Sequence, residues 1–414
     1  MKKFSKTQLI YLILALSFLV KFIAVFFYAD KELVNEWGFI FHNYKASGVI
    51  GYYVALDEFN AIPKFAEIGE KVLPSVFMPP LYFFFIYIIN FFIPVSFGIV
   101  NSLIFIQILI SIGSIYIFYK ITEELEKNNF QILVTFLFAF FPLNIYACLQ
   151  VSSITLQIFL MLHYFLLIIL YLKRNKIKYL IFFSIISGFL ILIRGEFFLF
   201  YIFTLFFFFL IKSRNFKSCL ISIIITLIVI SPYLYRNYEV FNSVTITKSF
   251  GYNLLKGNNP TFTIEGNPKF IEKYNVKNYK IKTENNFEII LDNKYKNEAI
   301  KIIKSDPFEY FKFYLLKILS FMFFDMTSSY PHYYNFFHIF PKIIVSITGF
   351  FGALLAFRRA DFFQYLSLFY FLNIFLFSIF FILPRYSLML LPINLILTIF
   401  VIQKLRGKFL NKFR

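Results

Sequence analysis

The sequence predicts an all-α polytopic membrane protein, and three observations predict it. Of its 414 residues, 59% are hydrophobic and only 15% are charged, against about a quarter charged in soluble domains. Mean hydropathy is +0.72. Apolar runs of about 20 residues recur along the chain, the length that crosses a hydrocarbon core of about 30 Å. The alternating segments of about ten residues that mark a transmembrane β-barrel are missing from the pattern. A net charge of +19 fits loops facing anionic lipid headgroups, and no nucleic-acid partner is expected. The 65 Phe, with many Ile, Lys and Asn, read as compositional bias. Cys148 and Cys219 both sit in apolar runs with neither metal-ligand spacing nor a disulfide framework.

The first span, Leu9–Tyr28, follows Lys2, Lys3 and Lys6. It is long and lacks a small-residue cleavage site, so it reads as a retained span with a cytoplasmic N-terminus. A polar stretch from Ala29 to Pro80 follows, with Asp30, Glu32, Glu36, Asp57, Glu58, Glu67, Glu70, four lysines and the sole tryptophan, Trp37. The next run, Pro79–Val95, decides the topology. If it spans, the clusters Lys173, Arg174, Lys176, Lys178 and Lys212, Arg214, Lys217 fall outside. If it lies at the interface, both fall inside, as the positive-inside rule prefers. The run is short and bounded by Pro79, Pro80 and Pro94, which also favours a juxtamembrane helix.

The remaining spans follow from that choice: Val100–Tyr119, Gln131–Cys148, Ile154–Leu172, Tyr179–Ile193, Phe197–Ile211, Leu220–Tyr235, Pro341–Phe357, Phe363–Leu383 and Leu388–Gln403. With the first span they make about ten, and a basic tail (Lys404, Arg406, Lys408, Lys412, Arg414) leaves the C-terminus cytoplasmic. A polar region from about Glu239 to Tyr334 interrupts them. Its lysines do not weigh against an outer location, because long loops translocate largely regardless of charge. Within it, Asp306-Pro307-Phe308-Glu309 supplies a capping residue, a proline at the first helical position and an acid to complete a capping box. The run Phe308–Phe324, carrying Lys312 and Lys317, reads as a helix in the outer headgroup layer. Three units result: 1–235 as an N-terminal catalytic module, 236–337 as an outer loop with its amphipathic helix, and 338–414 as the last spans and tail.

This topology gathers Glu36, Arg194, Glu196, Arg236, Lys256, Lys317 and Arg385 on the outer face. Three of these are arginines at the outward ends of three different spans. Charge at membrane depth is costly and usually has a partner, and guanidinium presents a planar fork that grips phosphate in a bidentate way. Such a ring suits a lipid-linked phosphate or pyrophosphate. A helix-end arginine also serves as a snorkelling anchor, so the case rests on the three together. The histidines His42, His163, His332 and His338 have no zinc-like spacing.

Six stretches stand in order along the chain: NEWGFIFHNYKASGVIGYY with its acid Glu36, Met78-Pro79-Pro80-Leu81-Tyr82, Arg194-Gly195-Glu196 at the end of a span, SPYLYRNYEVFNSVTITKSFGYNLLKGNNP (Ser231 to Pro260), YKNEAIKIIKSDPFEYFKFYLLK (Tyr295 to Lys317) and RYSLMLLP (Arg385 to Pro392). In these stretches and their order the chain resembles the GT-C class of integral-membrane glycosyltransferases. More narrowly, it is similar to the phospholipid-carrier-dependent family of protein O-mannosyltransferases and lipid A aminoarabinose transferases, with Arg194-Gly195-Glu196 in place of an Arg-Pro-Glu-like triplet. Pro232-Tyr233 replaces the Pro-Trp seen in many relatives.

The resemblance implies a GT-C-like bundle with outer-face juxtamembrane helices, in a cell membrane such as a bacterial inner membrane. It implies a polyprenyl-phosphate sugar donor and a lipid, glycan or protein acceptor. Inversion at the anomeric carbon needs one carboxylate base, here Glu36 with Asp30 in reserve. Arg194, Arg236, Lys256, Lys317 and Arg385 would hold the leaving phosphate. Some GT-C enzymes carry metal-binding acids in the second outer loop; here it reads Tyr146 to Ser153 without an acid, so no metal and no other cofactor is expected. Three alternatives stay open: a polyprenyl-linked glycan flippase, which internal repeats and an inward-open state would favour, a glycan polymerase or ligase with a pyrophosphate-linked donor, and a non-catalytic assembly subunit.

Overall fold

The computed structural model describes residues 5–33, 35–53, 72–93, 98–125, 130–212, 215–274, 284–325, 328, 335–359 and 361–412. Asp57, Glu58, Glu67, Glu70, Pro94, Arg214, His332 and Arg414 lie outside the described residues. The first helix, α1 (Lys6–Tyr28), opens on a full capping box between Ser5 and Gln8. Helix α2 (Glu36–Ser47) is capped by Asn35 and closed by the left-handed Gly48. A short antiparallel hairpin follows, β1 (Gly51–Tyr53) on β2 (Val72–Pro74), with Gly51 opposite Pro74. Helix α3 is Leu81–Phe92, and α4 is Ile99–Leu125.

Helices α5 (Phe130–Ala139) and α6 (Pro142–Cys148) meet at a 48° bend. The sequence reads them as one straight span; Pro142 has no amide hydrogen to give and its ring crowds the preceding turn, so the helix breaks there. Then come α7 (Ile154–Arg174), α8 (Ile177–Ile193), α9 (Phe197–Leu205) continued as a π-helical turn to Lys212, and α10 (Phe216–Phe241). The left-handed Asn175 makes the tight α7–α8 corner, a conformation asparagine tolerates better than most residues. The polar region folds as α11 (Phe250–Gly257), α12 (Pro268–Ile271), α13 (Phe287–Ser305) and α14 (Pro307–Met322). Helices α15 (Phe336–Ala356), α16 (Phe362–Phe377) and α17 (Leu391–Lys412) complete the bundle, with a 3₁₀ segment at Pro384–Leu390.

Several expected boundaries move. Helix α16 stops at Phe377, six residues before the expected Leu383, and an irregular stretch leads to the 3₁₀ turn. Helix α13 starts well before Tyr295, because Phe287, Glu288, Leu291, Asp292, Tyr295 and Ala299 form its buried stripe. At α14 the Asp306 side chain caps Glu309 N, but Glu309 pairs with Lys312 at 2.6 Å, so only half of the expected capping box is seen. Among the described residues, six helices are long and apolar enough to cross a membrane, seven if the bent pair is one span. Leu81–Phe92, Ile177–Ile193, Phe197–Lys212 and Phe362–Phe377 are apolar but shorter. The expected tally of about ten is reached only if three of these shorter helices also cross.

Two ends of the bundle can be told apart by their contacts. At one end Lys6 interacts electrostatically with Glu123, and Glu124 binds Lys173 and Arg174 at 3.3 and 2.7 Å. At the other, loop-rich end, Asp30 meets the backbone of Leu149 and Val151. Helix α1 therefore arrives at the loop-rich end and α4 departs from it, so α3 does not cross the bundle. The main core joins α4, α5, α7 to α9 and α15 to α17 through Phe118, Tyr164, Phe165, Phe200, Tyr365 and Phe369, all buried. A second cluster holds Trp37, Phe41, Tyr82, Phe83 and Ile104. A third, with Leu73, Leu254, Phe287 and Leu291, sits within the polar region.

Candidate functional site

The first polar stretch is strapped to the turn after α6. Asp30 N donates to Leu149 O at 3.1 Å and Asp30 Oδ2 accepts from Val151 N at 2.7 Å. Asn35 Nδ2 donates to Val151 O at 2.8 Å and Gln150 Nε2 to Tyr28 O at 2.8 Å. Gln107 holds the same turn from below through Gln150 O, and accepts from Tyr82 OH. The Met78-Pro79-Pro80-Leu81-Tyr82 motif thus buries its tyrosine, edge-on to Trp37 at 5.4 Å. Burial raises the Asp30 carboxyl above the ordinary aspartate range, opposed by the Val151 N–H. Glu36 is the first residue of α2 by its backbone; its side chain lies outside what the structure describes.

Three of the expected cations gather on one aromatic pair. Phe381 and Tyr386 lie 6.0 Å apart. The Arg194 guanidinium carbon is 4.8 Å from the Tyr386 ring and 5.9 Å from Phe377. Arg385 is 5.9 Å from Tyr386, and Lys256 Nζ is 4.5 Å from Phe381. The electron-rich ring faces hold cations that would otherwise repel. Arg194 caps α8 and meets Glu196 only at 3.9 Å. Two glycines allow the approach: a Cβ on Gly257 would stand 2.3 Å from Phe381 N, and Gly266, at φ +82°, lies against the Lys256 stem.

The other two expected cations lie apart from that group. Lys317 is fully buried and spends its three donors on Gly257 O at 3.1 Å, Asn258 Oδ1 at 3.1 Å and Ile379 O at 3.2 Å. It ties the backbone after Lys256 to the stretch leading to Arg385. Burial pushes its ammonium down to about 7. Arg236 donates to Ser75 O at 3.1 Å, Asn237 Oδ1 at 2.8 Å and Ile50 O at 3.2 Å.

Sequence reasoning missed several buried charged groups. Glu288 accepts from Ser75 Oγ at 2.8 Å and Val76 N at 2.7 Å; burial lifts its carboxyl to about 7 despite those donors and the nearby Arg236. Its signal was periodicity: Glu288 and Asp292 share a helix face with Leu291, Tyr295 and Ala299. Lys342, inside α15, lines a small cleft with Ser346, Ser387 and Asn394. A lysine within an apolar run is a flag in any sequence, as it is for Lys21, which donates to Ser17 Oγ at 3.0 Å. Among the described residues, no group of three or more His, Cys, Asp or Glu converges to hold a metal ion.

A search of curated proteins returns no match. Residues 78–235 match the family model described as dolichyl-phosphate-mannose-protein mannosyltransferase. The match runs from Met78 through α3 and most of α10, less than half of the chain. It includes Arg194 and Glu196 and ends one residue before Arg236. It supports a glycosyltransferase of the GT-C type that uses a lipid-linked sugar. Residues 78–235 are thus similar to a glycosyltransferase domain of the GT-C type, the one described by the dolichyl-phosphate-mannose-protein mannosyltransferase model.

Proposed function

We propose that the protein moves a sugar from a polyprenyl-phosphate carrier to an acceptor on the outer face of the membrane. The convergence of Arg194, Lys256 and Arg385 around Phe381 and Tyr386 carries this reading, because it gathers positive charge where a leaving phosphate needs it. The orientation is supported by Lys6, Lys173 and Arg174 at the opposite end, since cations of short loops face the cytoplasm. Both termini are then cytoplasmic, in a membrane such as a bacterial inner membrane.

In the proposed reaction an acceptor hydroxyl attacks the anomeric carbon. The new carbon–oxygen bond forms as the bond to the phosphate oxygen breaks, and polyprenyl phosphate leaves with the bonding electrons. The hydroxyl proton passes to a carboxylate, Glu36, with Asp30 as the second candidate. Arg194, Lys256 and Arg385 neutralise the phosphate.

The test is a panel of polyprenyl-monophosphate sugars offered to purified protein in nanodiscs, with polyprenyl phosphate release followed by mass spectrometry. Release that vanishes in Glu36→Gln supports the class and the base together. Release lost in Asp30→Asn but kept in Glu36→Gln moves the base. The absence of release with every donor and acceptor would count against the reading, and parallel EDTA reports metal dependence.

A further inference from the structure

Just after β2, two residues are held from four sides. Ser75 N donates to Ile50 O at 3.0 Å and Lys248 N donates to Val76 O at 2.8 Å. Arg236, from the end of α10, donates to Ser75 O and Ile50 O. Glu288, from α13, takes the Ser75 hydroxyl on both oxygens, at 2.8 and 3.1 Å, and Val76 N–H at 2.7 Å. Ser75, Val76 and Glu288 are buried. Helix α13 is fixed in turn where Asp292 Oδ1 accepts from Tyr252 N at 3.1 Å. Asn237, next to the arginine, donates to Thr245 O at 2.7 Å.

We propose that Arg236 and Glu288 are a pair of positioning residues: together they lock the root of the first polar segment onto the bundle, and neither contacts the substrate. Resting on the glycosyltransferase reading, the lock sets where α2 and its first residue, Glu36, stand relative to the cations on Tyr386. The connection is short. Asn43, on α2, donates to Gly51 O at 3.2 Å, so α2, β1 and the Ser75–Val76 knot move as one piece. The donors Arg236 uses here go to protein oxygens, which suits an anchor better than a phosphate ligand.

A carboxylate is the fitting group for this place. It accepts a hydroxyl and an amide at once and balances the guanidinium, and buried charge needs such a partner. The amide of Glu288→Gln keeps the shape but loses the charge and one acceptor. Glu288→Ala leaves Val76 N–H and Ser75 Oγ without their partner, the costlier change.

The experiment pairs hydrogen–deuterium exchange with kinetics on the full chain in nanodiscs, using native protein, Glu288→Gln, Glu288→Ala and Arg236→Met. Exchange at residues 50–53 and 72–77 is expected to quicken in all three variants while α7 and α8 stay protected. With any donor the native protein turns over, kcat is expected to fall about tenfold in Glu288→Gln, with KM for the donor changed by less than about threefold. The double variant Arg236→Met/Glu288→Gln is expected to be little worse than either single one, the non-additivity of partners in one network. Unchanged exchange at 50–53 and 72–77 in Glu288→Ala would overturn the proposal. So would a donor KM that rises about tenfold at constant kcat, which would make the pair substrate contacts. If no donor is turned over at all, the glycosyltransferase reading fails and the exchange data alone judge the lock.

Discussion

The guanidinium of Arg194 sits 4.8 Å from the centre of the Tyr386 ring. One residue ends α8 and the other lies in the 3₁₀ turn before α17, 192 positions later in the chain by their numbers. The ring is a scaffold for charge: Arg385 approaches it at 5.9 Å, and Phe381 beside it receives Lys256. Replacing Tyr386 with Leu should let these cations separate. At about 0.5–2 kcal/mol per cation–ring contact, KM for a lipid-phosphate donor should rise severalfold with kcat less affected. Tyr386→Phe keeps the ring and should stay near native. Steady-state kinetics with both variants checks this, and equal effects of Leu and Phe would point to the hydroxyl.

Removing the charges themselves should cost more. A charge-assisted hydrogen bond contributes about 1.5–3 kcal/mol, so Arg194→Ala or Arg385→Ala should weaken binding of polyprenyl phosphate by about tenfold or more. Arg194→Lys keeps the charge without the planar fork and should fall between. Product inhibition by a short-chain prenyl phosphate measures it. Affinity unchanged in both alanine variants would remove the phosphate from this corner.

The membrane-spanning frame was legible because its signal is composition over about 20 residues, which neighbours cannot override. The placement of α3 was legible too, from basic loop residues whose common side is preferred when it does not cross. Arg194, Lys256 and Arg385 stood out as charges beside apolar runs, but nothing local indicated that they share two rings. That depends on the irregular stretch 378–383, where the sequence reads as continuing helix and the backbone instead turns to meet Gly257. Lys317 stood out by residue type, but its bonds to Gly257, Asn258 and Ile379 could not be read locally, because they come from two segments far from it in the chain. Glu288 was illegible without the start of α13: read in a loop, it is one acid among many, and read on a helix from Phe287, it falls on the buried face.

Asp30 has a pH signature. Burial raises its carboxyl above the ordinary range. If Asp30 takes the acceptor proton, activity should climb as pH rises through that raised value, and Asp30→Asn should remove about 10²–10⁴ of the rate. If Glu36 is the base, Asp30→Asn should cost much less, because an asparagine carbonyl can still accept from Val151 N–H. The pH–rate profiles of native protein, Asp30→Asn and Glu36→Gln separate the two.

Glu288 and Lys317 pull stability in opposite directions on either side of neutrality. The Glu288 carboxyl is lifted from 4.5 to about 7, so the folded state holds its proton more tightly than the unfolded one. Its contribution is complete below 4.5 and is lost as pH rises through about 7. The Lys317 ammonium is lowered from 10.5 to about 7, so the folded state releases its proton more readily. Its contribution is complete above 10.5 and is lost as pH falls through about 7. Together the two groups make a minimum in the stability curve near pH 7. Thermal unfolding in detergent across this range should show Glu288→Gln flattening the acid side alone. Lys317→Met should flatten the alkaline side alone and also lower Tm throughout, because Gly257 O, Asn258 Oδ1 and Ile379 O lose their shared donor. A Lys317→Met protein as stable as native at every pH would mean that water serves those three oxygens equally well, and the tie between Lys256 and Arg385 would then rest on the Asn258 Nδ2 to Ile379 O bond at 3.0 Å and the Ile382 N to Ile264 O bond at 2.9 Å.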